Sequence, residues 1–214
     1  MIEHNRRGPP PISGPTMLET SSGPGAGRGG TWRRRMPGVF LAGTGVGWLA
    51  IWADEARTRA AAAGVDLDLR EGDMRDLALE EPAALIYCPF RALLHLPTWA
   101  DRRRTFERVA ASLGPAGRFA WNALAFDHRI AARLDGAHQQ DPVPHTIRYA
   151  VGENRIDVVR DDGAMSRLWW ATKNEWLGLI DVASLELEAL YGGFAGEPFT
   201  DDSNEYVFVA RHKC

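Results

Sequence analysis

The sequence predicts an α/β fold: a mostly parallel sheet with helices on both faces, plus an antiparallel C-terminal meander. Three observations carry this. Apolar strand-like runs alternate with helical stretches between Val39 and Leu124. Period-two alternation around "GEN" and "DDG" begins after Asp141. The 214 residues are enough for one domain with a full core.

The elements follow in order. Met1–Pro37 is rich in Pro, Gly, Ser and Arg, has little to bury, and reads as a disordered tail ahead of a domain over 38–214. Val39–Val46 is apolar enough for a buried strand. Ala53–Ala63, "ADEARTRAAAA", is built from helix formers, with Gly64 as C-cap. "VDLDLREGDM" alternates as a strand does, and "AALIYCPF" reads as a strand covered on both faces. "TWADRRRTFERVAASL" is helical, with Trp99, Phe106, Val109, Ala110 and Leu113 on one face. "GPAGRFAWNAL" is a turn and a strand. The stretch from about 141 to 180 forms the meander, in which "WLGLIDVASL" is a helix. "LELEALYGGF" and "NEYVFVARH" close the fold as strands. In the last of these Tyr206, Phe208 and Ala210 share a face opposite Val207 and Val209.

Composition narrows the function. A formal net charge of −3 gives no electrostatic reason to expect nucleic acid or an anionic membrane. No apolar run reaches the roughly 18 residues of a spanning helix, and the N-terminus lacks the apolar core of a secretory signal. Cys88 and Cys214 form neither a metal spacing nor a disulfide framework. The expectation is a cytoplasmic protein with no metal.

The block "LREGDMRDLALEEPAALIYCPFRALLHLPTWADRRRTFERVAASLGPAGRFAW" resembles class I S-adenosylmethionine-dependent methyltransferases. "EGDMRDL" is similar to the end of that family's third strand. "ALIYCPFRALLHL" is similar to its fourth strand and loop, and "LGPAGRFAW" to the turn into its fifth, where Ala116 replaces a usual glycine. The ending "LYGGF…NEYVFVARH" is similar to its last two strands. The resemblance covers roughly Ala53 to His212 and implies a Rossmann-like fold, S-adenosyl-L-methionine as cofactor and a small-molecule methyl acceptor. It implies cofactor contacts from Asp73, Met74, Cys88, Pro89, Phe90 and His95.

The chemistry of those residues agrees. A carboxylate such as Asp73 can accept a hydrogen bond from the adenine amine, and a thioether such as Met74 can lie on the ring. Ligands of open α/β sheets bind beyond the carboxyl ends of the strands, where Asp73 and Pro89 fall. Each also has a plain structural reading: a turn acid for Asp73, core filling for Met74 and Cys88, and a hydrogen-bonded loop histidine for His95. No catalytic base is nameable. Methyl transfer from a sulfonium depends mainly on positioning, and a base is needed only if the acceptor must lose a proton. His128, His138, His145 and Tyr149 fall on the substrate side, as does the apolar group Leu168–Trp170 with Trp176. For all of these a structural or exposed role is the default.

The family's glycine-rich cofactor loop is the discordant part. Gly43, Gly45 and Gly47 in "VFLAGTGVGW" could be that loop, which leaves the second strand and its acid missing. Alternatively "GTGVGWLAIWADEARTRA" matches the second strand and its helix, which leaves the first strand and loop missing. We favour the latter, because it continues without a gap into "EGDM". One hypothesis accounts for the loss: "TSSGPGAGRGGTWR", Thr20–Arg33, back-translated with GC-rich codons, can read VLGPGCGTGRHVA in a shifted frame. The coding DNA tests this, and codons that permit no GCGTG reading in another frame would sink it. Two other functions therefore stand beside the methyltransferase. One is a methyltransferase-like protein that has lost cofactor binding. The other is a nicotinamide-dependent oxidoreductase using Gly43–Gly47, which leaves "EGDMRDL" unexplained.

Overall fold

The computed structural model describes the backbone of residues 35–42, 57–64 and 66–213, and the side chains of 57–64, 70 and 72–213. The strand, helix, strand, strand, helix, strand order expected of the middle of the chain is present. Strand β1 (Arg35–Ala42) pairs in parallel with β2 (Asp66–Gly72). Parallel neighbours need a crossover, and helix α1 (residues 57–62) lies between them in the chain. Gly64, at φ +65°, ends that helix, its N–H bonded to the Ala61 carbonyl. Strand β1 starts at Arg35, inside the stretch expected to be disordered, and its register shifts between Met36 and Val39, around Pro37. It stops at Ala42, so Gly43, Gly45 and Gly47 lie outside the described residues.

Strand β3 (Ala83–Cys88) leads through helix α2 (Trp99–Ser112) to β4 (Leu113–Leu124), its parallel neighbour. Strands β9 (Leu185–Tyr191) and β10 (Glu205–His212) complete a four-stranded sheet of order β3-β4-β10-β9, with β10 antiparallel to both neighbours. A second, antiparallel sheet is formed by β5 (His138–Gln139), β6 (His145–Ala150), β7 (Arg155–Arg160) and β8 (Met165–Trp169) in that order. Helix α3 (His128–Leu134), with no counterpart in the sequence reading, precedes it, and α4 (Lys173–Val182) follows it.

Local chemistry explains the boundaries. Thr98 caps α2 by accepting from the Asp101 N–H at 3.0 Å. Thr172 and Glu175 form a reciprocal capping box on α4. Gly117 is required by a close approach: a Cβ there would stand 2.6 Å from the Ala83 carbonyl oxygen. Ala116, which replaces the glycine usual at the preceding position, is exposed, so its methyl group meets no such contact.

The core lies between α2, α4 and one face of the four-stranded sheet. Trp121 is its centre, with ring centroids at 4.6 Å from Phe119, 4.8 Å from Phe208 and 5.1 Å from Phe106. Phe106, Val109 and Leu113 are buried as the helical stripe predicts, and Tyr206, Phe208 and Ala210 as the strand alternation predicts. Trp99 departs from its stripe. It stands in the first turn of α2, largely exposed, with the Arg103 guanidinium 5.8 Å from its ring.

Strand β3 corrects the sequence reading. It is covered on one face only: Leu85 is 61% and Tyr87 51% exposed, while Ile86 and Cys88 pack on the core. It is the edge strand of its sheet, and its outer edge is unpaired among the described residues. A continuous apolar run thus marks a strand with an apolar surface on both sides, not two covered faces.

Candidate functional site

The site grows from the carboxyl ends of β2 and β3. Asp73 follows β2 and caps the 3-10 turn Met74–Asp76, accepting from the Arg75 N–H at 2.9 Å. The Arg75 side chain folds back on the same carboxylate, with Nε donating to Oδ1 at 3.0 Å and Nη2 to Oδ2 at 2.6 Å. These bonds hold the Asp73 carboxyl below its ordinary range, against the opposing effect of burial. Arg75 also donates through Nη1 to Asp101 at 3.0 Å, in the first turn of α2. Asp101 is itself held low, first by Thr98 and then by Arg75. The Arg75–Asp101 bond ties the turn after β2 to the first turn of α2.

Met74 is buried in the core cluster beside Leu77, so its side chain fills the core as its structural reading had it. Cys88 ends β3 and packs on the same core, and burial pushes its thiol up to about 12. Its side chain is a small hydrophobe at neutral pH, which leaves backbone as its means of lining the site. Pro89 follows. Phe90 and Arg91 then take left-handed backbone at φ 58° and 57°, and Phe90 is 82% exposed. The 3-10 turn Ala92–His95 is anchored by Leu93 and Leu94, which are buried. His95 closes that turn, and burial lowers its pKa while the Arg167 carbonyl opposes the shift. Arg167 lies on β8, so His95 stands where the β3 loop meets the antiparallel sheet.

The other substrate-side residues divide. Tyr149 lies 6.2 Å from Phe126, edge to face, and Trp170 stacks on Phe126 at 4.1 Å. These three rings form one aromatic wall. Trp176 lies instead inside the core, against Phe106 and Phe208, on α4. His128 is exposed, His138 bonds Asp161 at 3.1 Å, and His145 bonds the Val143 carbonyl at 2.7 Å. His138 is also exposed and His145 half-buried, and the His138 contact ties β5 to the turn after β7. Beneath the wall, Arg102 is buried, donates to the Trp169 carbonyl and lies 5.2 Å from the Trp176 ring, and burial lowers it to about 10.

Sequence reasoning missed Arg91, Asn122 and Glu205, which form one hydrogen-bonded cluster beside the β3 loop. The only sequence signal was Asn122, a polar residue inside the apolar run "FAWNAL". Among the described residues no cluster of His, Cys, Asp and Glu could hold a metal ion, and no helix is long and apolar enough to cross a membrane.

No protein-family model and no curated sequence matches this chain. Solved structures do match it. A S-adenosylmethionine-dependent methyltransferase from Clostridium acetobutylicum superposes with a TM-score of 0.64 at 12% identity, over 75% of this chain and 71% of that one. CalS10 from Micromonospora echinaspora, described as an amino pentose methyltransferase involved in calicheamicin biosynthesis, gives a TM-score of 0.53 at 21% identity, over 74% of this chain and 71% of that one. The glycopeptide N-methyltransferase MtfA, solved with S-adenosyl-L-methionine, gives 0.53 at 16% identity, over 82% of this chain and 71% of that one. The chain has the class I methyltransferase fold.

Proposed function

We propose that the protein is a S-adenosyl-L-methionine-dependent methyltransferase acting on a small molecule in the cytoplasm. The Arg75–Asp101 bond carries this reading, because it fixes the turn that bears Asp73 at the carboxyl end of β2, where ligands of open α/β sheets bind. Arg75 fills both oxygens of Asp73, so an adenine amine binds there by taking the place of one Arg75 donor. The backbone of Cys88–Phe90 borders the same end. When bound, the cofactor supplies a methyl group already activated on a sulfonium. The chain's task is to align the acceptor and exclude water. Tyr149, Trp170 and Phe126 offer an apolar wall for that acceptor. His95 stands at the junction with the antiparallel sheet through the Arg167 backbone, and burial disfavours its charged form. The small-molecule acceptor is supported by the likeness to CalS10 and MtfA, an amino pentose and a glycopeptide methyltransferase, and by the mild net charge.

A second reading is a methyltransferase-like scaffold that no longer binds the cofactor. The unpaired edge of β3 among the described residues and the exposed Leu85 and Tyr87 favour it. Calorimetric titration with S-adenosylhomocysteine separates the two. Micromolar binding is the expected result. No heat from a cooperatively folded protein overturns the first reading and leaves the second.

A further inference from the structure

Two consecutive non-glycine residues in left-handed backbone are rare, and such conformations persist only where surrounding structure over-determines them. Phe90 and Arg91 are such a pair, directly after β3. The surroundings that fix them come from two distant strands. The Arg91 N–H donates to Oδ1 of Asn122 at 3.3 Å, near the carboxyl end of β4. Asn122 is buried, and its Nδ2 donates to Oε1 of Glu205 at 2.6 Å, at the start of β10. Glu205 in turn accepts from the Arg91 side chain, with Nε at 2.9 Å from Oε2 and Nη2 close to the same oxygen. Backbone, amide, carboxylate and guanidinium therefore close a ring on Arg91. The ring brings together residues 31 and 114 positions away from Arg91 in the chain.

We infer that Asn122 and Glu205 are positioning residues: they hold the left-handed Phe90–Arg91 turn so that the backbone after β3 is shaped for its ligand before the ligand arrives. The bonds inside the loop, Ala92 N–H to the Pro89 carbonyl and Leu94 N–H to the Arg91 carbonyl, close the following turn without fixing the sign of φ at Phe90 and Arg91. The carboxylate end of the ring is charge-assisted, and its strength comes from being only partly solvated. The functional part of this inference rests on the methyltransferase reading. The structural part does not.

Two variants test it, Glu205→Gln and Asn122→Ala, each with two readouts. In the unliganded proteins, hydrogen exchange at the Ala92 and Leu94 amides is expected to accelerate at least about tenfold, as the loss of one charge-assisted bond implies. The S-adenosylhomocysteine affinity is expected to fall about tenfold or more. The control is Glu107→Gln, which weakens an exposed ion pair with Arg103 on the surface of α2 and is expected to leave affinity within about twofold. Exchange in Glu205→Gln equal to wild type overturns the inference, whether or not Asn122→Ala folds. So does unchanged affinity in a Glu205→Gln protein whose parent binds. A parent that binds nothing overturns the methyltransferase reading alone, and the exchange arm then decides the role of the ring.

Discussion

Truncation of Phe106 tests the core that carries the site. The ring is fully buried on α2, edge-on to Phe119 at 5.3 Å and to Trp121 at 5.1 Å, and stacked on Trp176 at 6.2 Å. Burial of an aromatic side chain removes about 150–250 Å² from water, worth roughly 4–6 kcal/mol at about 25 cal/mol per Å². That is near the roughly 3–5 kcal/mol seen when Phe is cut to Ala in cores. Phe106→Ala should therefore cost about 4 kcal/mol, a large part of the roughly 5–15 kcal/mol that holds a domain. Phe106→Leu keeps most of the volume and loses mainly two edge-to-face pairs, about 1–2 kcal/mol together. With a urea m-value of about 2 kcal/mol/M, the midpoint falls about 2 M for alanine and about 0.5–1 M for leucine. Urea unfolding followed by tryptophan fluorescence reads both. A midpoint shift under about 0.5 M for alanine would show that the ring is not packed as described. Equal shifts for both variants would show that the ring contacts, not the volume, set the cost.

Other outcomes follow from single groups. His95 has a folded pKa below its ordinary value of 6.5, because burial disfavours the imidazolium. The unfolded chain therefore binds the proton more readily, and stability should fall as pH drops through about 6.5. His95→Asn should flatten the Tm profile between about pH 7.5 and 5.5, and an unchanged slope would remove His95 as its source. Thr172→Ala removes the capping box of α4 and should cost about 1 kcal/mol, read by thermal unfolding. Cys88, its thiol pushed to about 12, should resist iodoacetamide in the folded protein and react in urea, with peptide mapping to separate it from Cys214. Gly117→Ala must move the Ala83 carbonyl and should lower the Tm by several degrees, whereas Ala116→Gly should change it little.

What could be read in the sequence was what repeats over a few residues. The stripe of Phe106, Val109 and Leu113 and the alternation of Tyr206, Phe208 and Ala210 are local records of one buried side, and the structure buries them so. The turn signals "GEN" and "DDG" fall between β6, β7 and β8 as a meander requires. The stretches "EGDMRDL" and "CPFRALLH" stand at strand ends, where the resemblance put them. Helix α3 escaped because seven residues are too few to show a period.

The rest depended on which strands become neighbours. "AALIYCPF" looks the same whether one or both of its faces are covered. The sheet order makes β3 an edge, and the packing of α2 and α4 on one face of the sheet leaves Leu85 and Tyr87 exposed on the other. Asp73 looks free in the sequence, yet Arg75 occupies its carboxylate and ties it to Asp101. Arg91, Asn122 and Glu205 carry no shared motif, because hydrogen bonds between residues so far apart leave no periodic trace in a chain. The sequence by itself determined the elements, since backbone geometry and burial are written in neighbouring residues. Only the tertiary structure decided how the turn after β2 is tied to α2 and how the Phe90–Arg91 turn is held, since those contacts exist only once distant segments have been brought together.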